Sequence, residues 1–455
     1  MSKKRKVESN EATQKSSPVE VIVEDVTSHP LCLHGPTLLF SSEKGRYFAC
    51  SSCRNKKDCT VHIDEEDWQK EGVKKRNEKY FKLIPKIDKA AAWTNLNEIK
   101  SRHYSDRAYC NTCDEVYLLS QTRKHLKDHR VITGLTDELL GKPSSWLPTI
   151  EDDAVEAQYI FSKKTVGTIL GILKNNNISN ILCIGAPSVH ESAQSDPDFD
   201  SLLLDYDHRH RHFNHPDKYI WYNMFNNYMF NGNHDEKVLT KFFKKSKESG
   251  LCIVMDPPFG GRVEPLAHTI KELTATYNTV CETELTTLPV LWAFPYFSEP
   301  YIVNVLTDFK MHDFQVEYEN HKKFVNKRSG RKHGSPVRLF TNLPLLTIDL
   351  SNDSNYKYCD KCKYWVSTTN THCTKCKGCT SKNGMSYKHC NACKRCVKPT
   401  FKHCAKCERC VLEKGHRCGL VVEPQSCFQC REKGHKRSQC PQLEQGTGKM
   451  RRKHA

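Results

Sequence analysis

Between about residues 152 and 344 the hydrophobic positions fall into short unbroken runs separated by amphipathic stretches. Residues 180–189 (NILCIGAPSV), 199–209 (FDSLLLDYDHR), 219–225 (YIWYNMF) and 251–259 (LCIVMDPPF) are four such runs, and LPVLWAFPYF near Leu288 is a fifth. Runs of this length without polar alternation are expected of strands buried on both faces of a parallel sheet. Two later stretches alternate instead. Residues 313–324 (DFQVEYENHKKF) and 335–343 (SPVRLFTNL) flank the basic loop VNKRSGRKHG and read as a closing hairpin. The fold class expected is α/β, a doubly wound Rossmann-like sheet finished by a β-hairpin, and that sheet is expected to be complete before Ser351. No run approaches 18 apolar residues, so no membrane partner is expected.

Ligands of open α/β sheets sit at the carboxyl ends of the strands, so the residues there carry the candidate chemistry. The first run ends in Gly185-Ala186-Pro187, a glycine turn without the GxGxxG of dinucleotide binders. The second ends in Asp205 and Asp207, either of which stands where ribose hydroxyls are held; Asp205 is the better placed. The fourth ends in Asp256-Pro257-Pro258-Phe259. Neither proline donates to a ladder, each fixes its own φ, and each holds its predecessor extended. The outcome is a rigid corner bearing a carboxylate, a free carbonyl and an aromatic ring. The histidine-rich string after Asp207 reads as a solvated loop or a metal-binding decoration.

Charge is distributed unevenly over the 455 residues: 23 Lys/Arg face only 7 Asp/Glu after residue 350, so +16 of the net +17 lies there. A basic tail of this kind suggests a polyanionic partner. The same segment holds 15 of the 24 cysteines, spaced as CxxC pairs with interspersed histidines, which is metal-site spacing. The opening Lys3-Lys4-Arg5-Lys6 run has the composition of a nuclear import signal on a disordered basic tip, residues 1–25. The nucleus is the location expected from this run alone.

Four zinc-like regions follow from the Cys/His spacing. Over residues 28–70, Cys32, His34, Cys50 and Cys59 can close a tetrahedral site, with Cys53 as the alternative to Cys50. Gly35, Arg46, Phe48 and Trp68 stand where this segment resembles the GRF zinc finger, although TVHI after Cys59 departs from that pattern. Over residues 105–132, Cys110, Cys113, His125 and His129 have the spacing of a C2H2-like finger. Over residues 356–420, Cys359 and Cys362 lead three copies of HCxxCxxC. These are His372, Cys373, Cys376 and Cys379; His389, Cys390, Cys393 and Cys396; and His403, Cys404, Cys407 and Cys410. His416 and Cys418 follow, and adjacent His-Cys pairs leave the ligand pairing open. This array resembles the cysteine-rich domain of DHHC palmitoyltransferases without its Asp-His-His-Cys motif. Over residues 425–442, Cys427, Cys430, His435 and Cys440 form a CCHC knuckle, a module used for single-stranded RNA, before a basic tail at 443–455.

Asp256-Pro257-Pro258-Phe259 is similar to the Asp-Pro-Pro-Phe motif of S-adenosylmethionine-dependent amino-methyltransferases, and Gln158-Tyr159-Ile160-Phe161 resembles the Gln-Phe-Trp-Tyr segment of the N6-adenine-type methyltransferase-like family. With the fingers, the likeness runs from Cys32 to Cys440. It implies a methyltransferase at residues 152–344 and S-adenosylmethionine as cofactor, held by Gln158 to Phe161, Gly185 to Pro187, Asp205 and Asp256. It further implies structural zinc and N6-methylation of adenosine in RNA, with ribosomal RNA as the expected partner. In that chemistry Asp256 and the Pro257 carbonyl accept hydrogen bonds from the amino group, and Phe259 stacks on the base. A protein-lysine methyltransferase acting on a translation factor, and an RNA-binding scaffold, are the competing readings.

Overall fold

The computed structural model describes residues 19–22, 26–52, 59–68, 73–121, 129–149, 158–320 and 335–413, with His416 and Cys418. The chain forms two units, Met1–Pro85 and Lys86–Ala455. In the first, Glu20–Ile22, Leu38–Ser42, Gly45–Ala49 and His62–Asp64 pair in that order as an antiparallel sheet. Phe48 is buried there, edge-on to His29 and Trp68.

In the second unit the runs of uninterrupted apolar residues do become buried strands. Chain order is α1 (Lys163–Asn175), β1 (Asn180–Ile184), α2 (Pro187–Gln194), β2 (Asp200–Asp205), β3 (Tyr219–Asn223), β4 (Tyr228–Met229) and α3 (Asn233–Ser246). It continues through β5 (Leu251–Met255), α4 (Val263–Cys281), β6 (Val290–Pro295), α5 (Glu299–Val305), β7 (Lys310–Gln315) and β8 (Val337–Thr341). These strands form one sheet in the order β4-β3-β2-β1-β5-β6-β8-β7. Strands β3, β2, β1, β5 and β6 are parallel, while β4 is antiparallel to β3 and β8 is antiparallel to both β6 and β7. The strand order reverses between β1 and β5, which opens a cleft at their carboxyl ends. One face carries α3 and α4 through Phe242, Phe243, Leu266 and Ile270, packed on Ile184, Leu204 and Met255. This is the expected α/β doubly wound, Rossmann-like sheet with its terminal hairpin.

Two strand boundaries differ from the sequence expectation. The second run stops at Asp205, because Asp207 caps a 3-10 turn over His208–His212 by accepting from the Arg209 N–H. The alternating stretch starts earlier, at Lys310, and β7 ends at Gln315; residues 321–334 lie outside the described residues. Most of the histidine-rich string is packed inward and not solvated. Arg209, His210 and His212 are buried, and Asp114 of the 105–132 module takes Arg211 at 2.7 Å and His212 at 3.3 Å.

The sheet ends at its hairpin strand as expected, but the outer edge of that strand is not free. Asp313 in β7 is buried and accepts hydrogen bonds from the Ser367 N–H (2.8 Å) and Asn370 Nδ2 (2.9 Å), both in the cysteine-rich segment. The Tyr356 hydroxyl accepts from the Gln315 N–H at 2.9 Å. An edge strand presents unpaired polar groups, and here the zinc-like array covers them.

Candidate active site and metal centres

The corner after β5 is built by backbone constraints. Asp256 continues the ladder by donating its N–H to the Ile184 carbonyl (3.1 Å), and the Gly261 N–H closes the Pro258 carbonyl turn at 2.7 Å. Gly185, just beyond β1, has φ +62°. A Cβ there would lie 2.8 Å from Met224 Cε and 3.3 Å from the Asp256 carbonyl, so only glycine lets the two strand ends approach this closely. Ala186 and Pro187 then open α2 with no side-chain cap, leaving backbone N–H groups at the cleft. This cradle fits an adenosine cofactor with a charged methionine tail.

Asp205 and Asp207 diverge in environment. Asp207 receives Arg209 through Nε at 2.8 Å and Nη2 at 2.6 Å, and Gln158 Nε2 at 2.8 Å. Burial would raise its carboxyl, but the Arg209 bonds and the Gln158 amide outweigh that and hold it at about 2. Asp205 accepts only the Asp207 N–H (2.8 Å) at its Oδ1, and its other oxygen has no partner among the described residues. Burial pushes it up to about 6.

Across the cleft, residues 158–162 pair with residues 316–320. The Ser162 N–H donates to the Glu317 carbonyl and the Glu319 N–H to the Ile160 carbonyl, both at 2.9 Å. Phe161 and Tyr318 form the bridge between them. This pairing brings Tyr318 to Asp256, and its hydroxyl donates to Asp256 Oδ1 at 2.8 Å. Burial pushes the Asp256 carboxyl well above the usual range, opposed by that hydroxyl. Tyr159 and Phe259 stack at 5.2 Å and 26°, with Tyr318 edge-on to Phe259 at 5.9 Å. The result is an aromatic cluster of Tyr159, Phe161 and Phe259 around Tyr318, whose hydroxyl reaches the Asp256 carboxyl. Tyr318 is the functional residue that sequence reading missed. Its signal was the alternation Phe314, Val316, Tyr318, all buried, within the stretch read only as a hairpin strand.

The cysteines assemble into groups whose donor atoms lie within 4.8 Å of one another. In the first unit these are Cys32, His34, Cys50 and Cys59; Cys53 lies outside the described residues. In the 105–132 module, His129 Nδ1 is 3.4 Å from Cys110 Sγ and 3.3 Å from Cys113 Sγ, while His125 lies outside the described residues. The array resolves into Cys359/Cys362/His372/Cys379, Cys373/Cys376/His389/Cys396, Cys390/Cys393/His403/Cys410 and Cys404/Cys407/His416/Cys418. Each HCxxCxxC copy is therefore split: its first and last residues close one group, and its two middle cysteines open the next. The residue after each CxxC (Asp114, Lys363, Lys377, Lys394, Glu408) has positive φ, the tight reversal that turns each pair of cysteines into a small hairpin. The knuckle residues Cys427, Cys430, His435 and Cys440 lie outside the described residues.

A doubly wound sheet with a glycine cradle, an acid after β2 and an Asp-Pro-Pro-Phe corner defines an S-adenosylmethionine-dependent amino-methyltransferase. Residues 152–343 match the family described as "Probable N6-adenine methyltransferase". Over nearly its full length the chain is similar to proteins called rRNA N(6)-adenosine-methyltransferase ZCCHC4. It is 37% identical to that of Homo sapiens over 94% of this chain and 86% of the relative. Identity is 37% to that of Xenopus laevis (96% and 91%) and 38% to that of Bos taurus (96% and 87%). The chain belongs to this ZCCHC4 family of methyltransferases.

Proposed function

We infer that the protein methylates N6 of adenosine in ribosomal RNA, with S-adenosylmethionine and structural zinc as its cofactors. The observation that carries this reading is the Asp256 carboxylate, fixed by Tyr318 inside an aromatic wall at the switch point of the sheet. Bound S-adenosylmethionine supplies an electrophilic methyl group; the chain's residues must make a poor nucleophile reactive. The adenine amino nitrogen is poor because its lone pair is delocalised into the ring. With Oδ1 held by Tyr318, Asp256 offers its second oxygen to one amino N–H, and the Pro257 carbonyl offers an acceptor to the other. Both acceptors favour the positive charge that develops on nitrogen as the bond to carbon forms. Phe259 and Tyr159 present flat faces that orient a base and exclude water.

Asp205 is the carboxylate we assign to the cofactor ribose, with Gly185 to Pro187 beside the cofactor and Gln158 to Phe161 forming the remaining wall. Zinc is assigned to the Cys/His groups described above, with His125 completing the 105–132 site and the 427–440 knuckle forming a further one. The modules at 28–70, 105–132, 152–344, 356–420 and 425–442 are the proposed division of the chain. A ribosomal RNA substrate, together with the Lys3-Lys4-Arg5-Lys6 run, supports action in the nucleus and nucleolus. Among the described residues no helix is long and apolar enough to cross a membrane.

Incubating the protein with methyl-labelled cofactor and a mixture of ribosomal RNA and ribosomal protein tests the assignment. Label in RNA, lost in Asp256→Ala, is expected. Label in protein lysine would replace this reading with the lysine-methyltransferase one.

A further inference from the structure

The surface beyond the carboxyl end of β6 takes no part in the reaction above. Tyr296–Ser298 make one 3-10 turn that runs directly into α5. Phe297 and Tyr301 are four residues apart, so they lie on one face of this helical run. They are 57% and 48% exposed. A single exposed ring is unremarkable, but two on one face form an apolar platform that water covers poorly.

The platform's surroundings are cationic and come from the zinc array. Lys398 Nζ sits 5.5 Å over the ring of Tyr296 and donates to its hydroxyl at 3.2 Å. Lys382 is ion-paired with Glu299, the acid of the 296–305 run. Across residues 356–413 there are 13 Lys/Arg against 3 Asp/Glu. Three thiolates on each divalent ion return roughly one negative charge per site, and the array stays strongly positive. The position matters as much as the composition. Strands β5 and β6 are parallel neighbours with Met255 opposite Trp292, so the Asp256 corner and the Tyr296 turn leave the same carboxyl end of the sheet from adjacent strands, the turn three residues further along.

We propose that Phe297 and Tyr301, with Lys398 and the basic array behind them, form a stacking platform for single-stranded nucleotides flanking the target adenosine. This rests on the RNA reading above. Every base offers a π-face to such rings, and the lysines meet the phosphates, so the platform grips a strand without reading its sequence. It is built jointly by the catalytic sheet and the zinc array.

The test uses the full-length protein with zinc bound, and an unstructured adenosine-containing RNA of about 20 nucleotides as probe. The double variant Phe297→Ala/Tyr301→Ala removes two exposed rings, and an unchanged melting temperature checks its fold. Its Kd for the probe should weaken roughly tenfold or more, from the usual worth of base–aromatic stacking. KM for RNA should rise with it, kcat at saturating RNA should stay within about twofold, and cofactor affinity should not move. Lys398→Ala should lower the slope of log Kd against log salt by about 0.7, the value for one phosphate contact on a single strand. Parental Kd and KM in the double variant would overturn the platform. If the parent protein fails to methylate any RNA yet the double variant binds the probe more weakly, the platform stands and the assignment of the reaction falls.

Discussion

Asp205 and Asp207 lie two residues apart at one strand end, yet burial leaves the first up at about 6 while Arg209 holds the second at about 2. The proposed assignment therefore gives Asp205 the cofactor ribose and leaves Asp207 a structural role. A ribose hydroxyl donates best to an ionised carboxylate, so cofactor affinity should weaken as pH falls through about 6. Asp205→Asn should lose that pH dependence and bind the cofactor about tenfold more weakly, which calorimetry across pH reads directly. Asp207→Ala should instead cost stability, roughly 3 kcal/mol, since it strands a buried guanidinium without its partner; thermal unfolding checks it. Tyr318→Phe keeps the ring and removes one hydroxyl. That hydroxyl lowers the Asp256 carboxyl, and the proposed mechanism uses the carboxylate. Its loss should move the acidic limb of the pH–rate profile to higher pH and cut kcat about tenfold, with cofactor affinity unchanged. An unmoved limb would reduce Tyr318 to a packing residue.

At the scale of elements, the β1 and β5 ends approach only because Gly185 lacks a side chain. Gly185→Ala would put a Cβ against Met224 and the Asp256 carbonyl at positive φ. The expected result is a loss of about 1–3 kcal/mol and of cofactor binding together, seen as a lower melting temperature that cofactor no longer raises. Much of this was legible in the chain. Strands buried on both faces write themselves as unbroken apolar runs, which is why 180–184 and 251–255 could be read directly. The Asp-Pro-Pro-Phe corner was legible because proline constrains its neighbours locally. Tyr318 was not, since what makes it functional is a pairing with residues 158–162, more than 150 positions earlier. The ligand sets of the array were equally hidden. Each histidine has a cysteine beside it, and only the folded hairpins show which one faces which group.

For the whole molecule, the packing of the Cys/His array on the β7 edge is the main feature the sequence did not show. Asp313 is buried in β7 beside Arg338 and is satisfied by Ser367 and Asn370 from the array. Truncation after Ser351 would remove both hydrogen-bond donors of that carboxylate and uncover the β7 edge, so the truncated chain should melt well below the parent. Zinc chelation should likewise lower the melting temperature of the catalytic unit, not only of the fingers. Cofactor-dependent stabilisation, followed by calorimetry with and without chelator, distinguishes this from an independent tail. The central claim is that the Asp256 corner, backed by Tyr318, activates an adenine amino group. Its most direct measurement is nucleoside analysis by mass spectrometry of ribosomal RNA treated with the parent protein or with Asp256→Ala. The account requires N6-methyladenosine from the parent and little or none from the variant at equal cofactor occupancy; methylation at another atom, or an equally active variant, would contradict it.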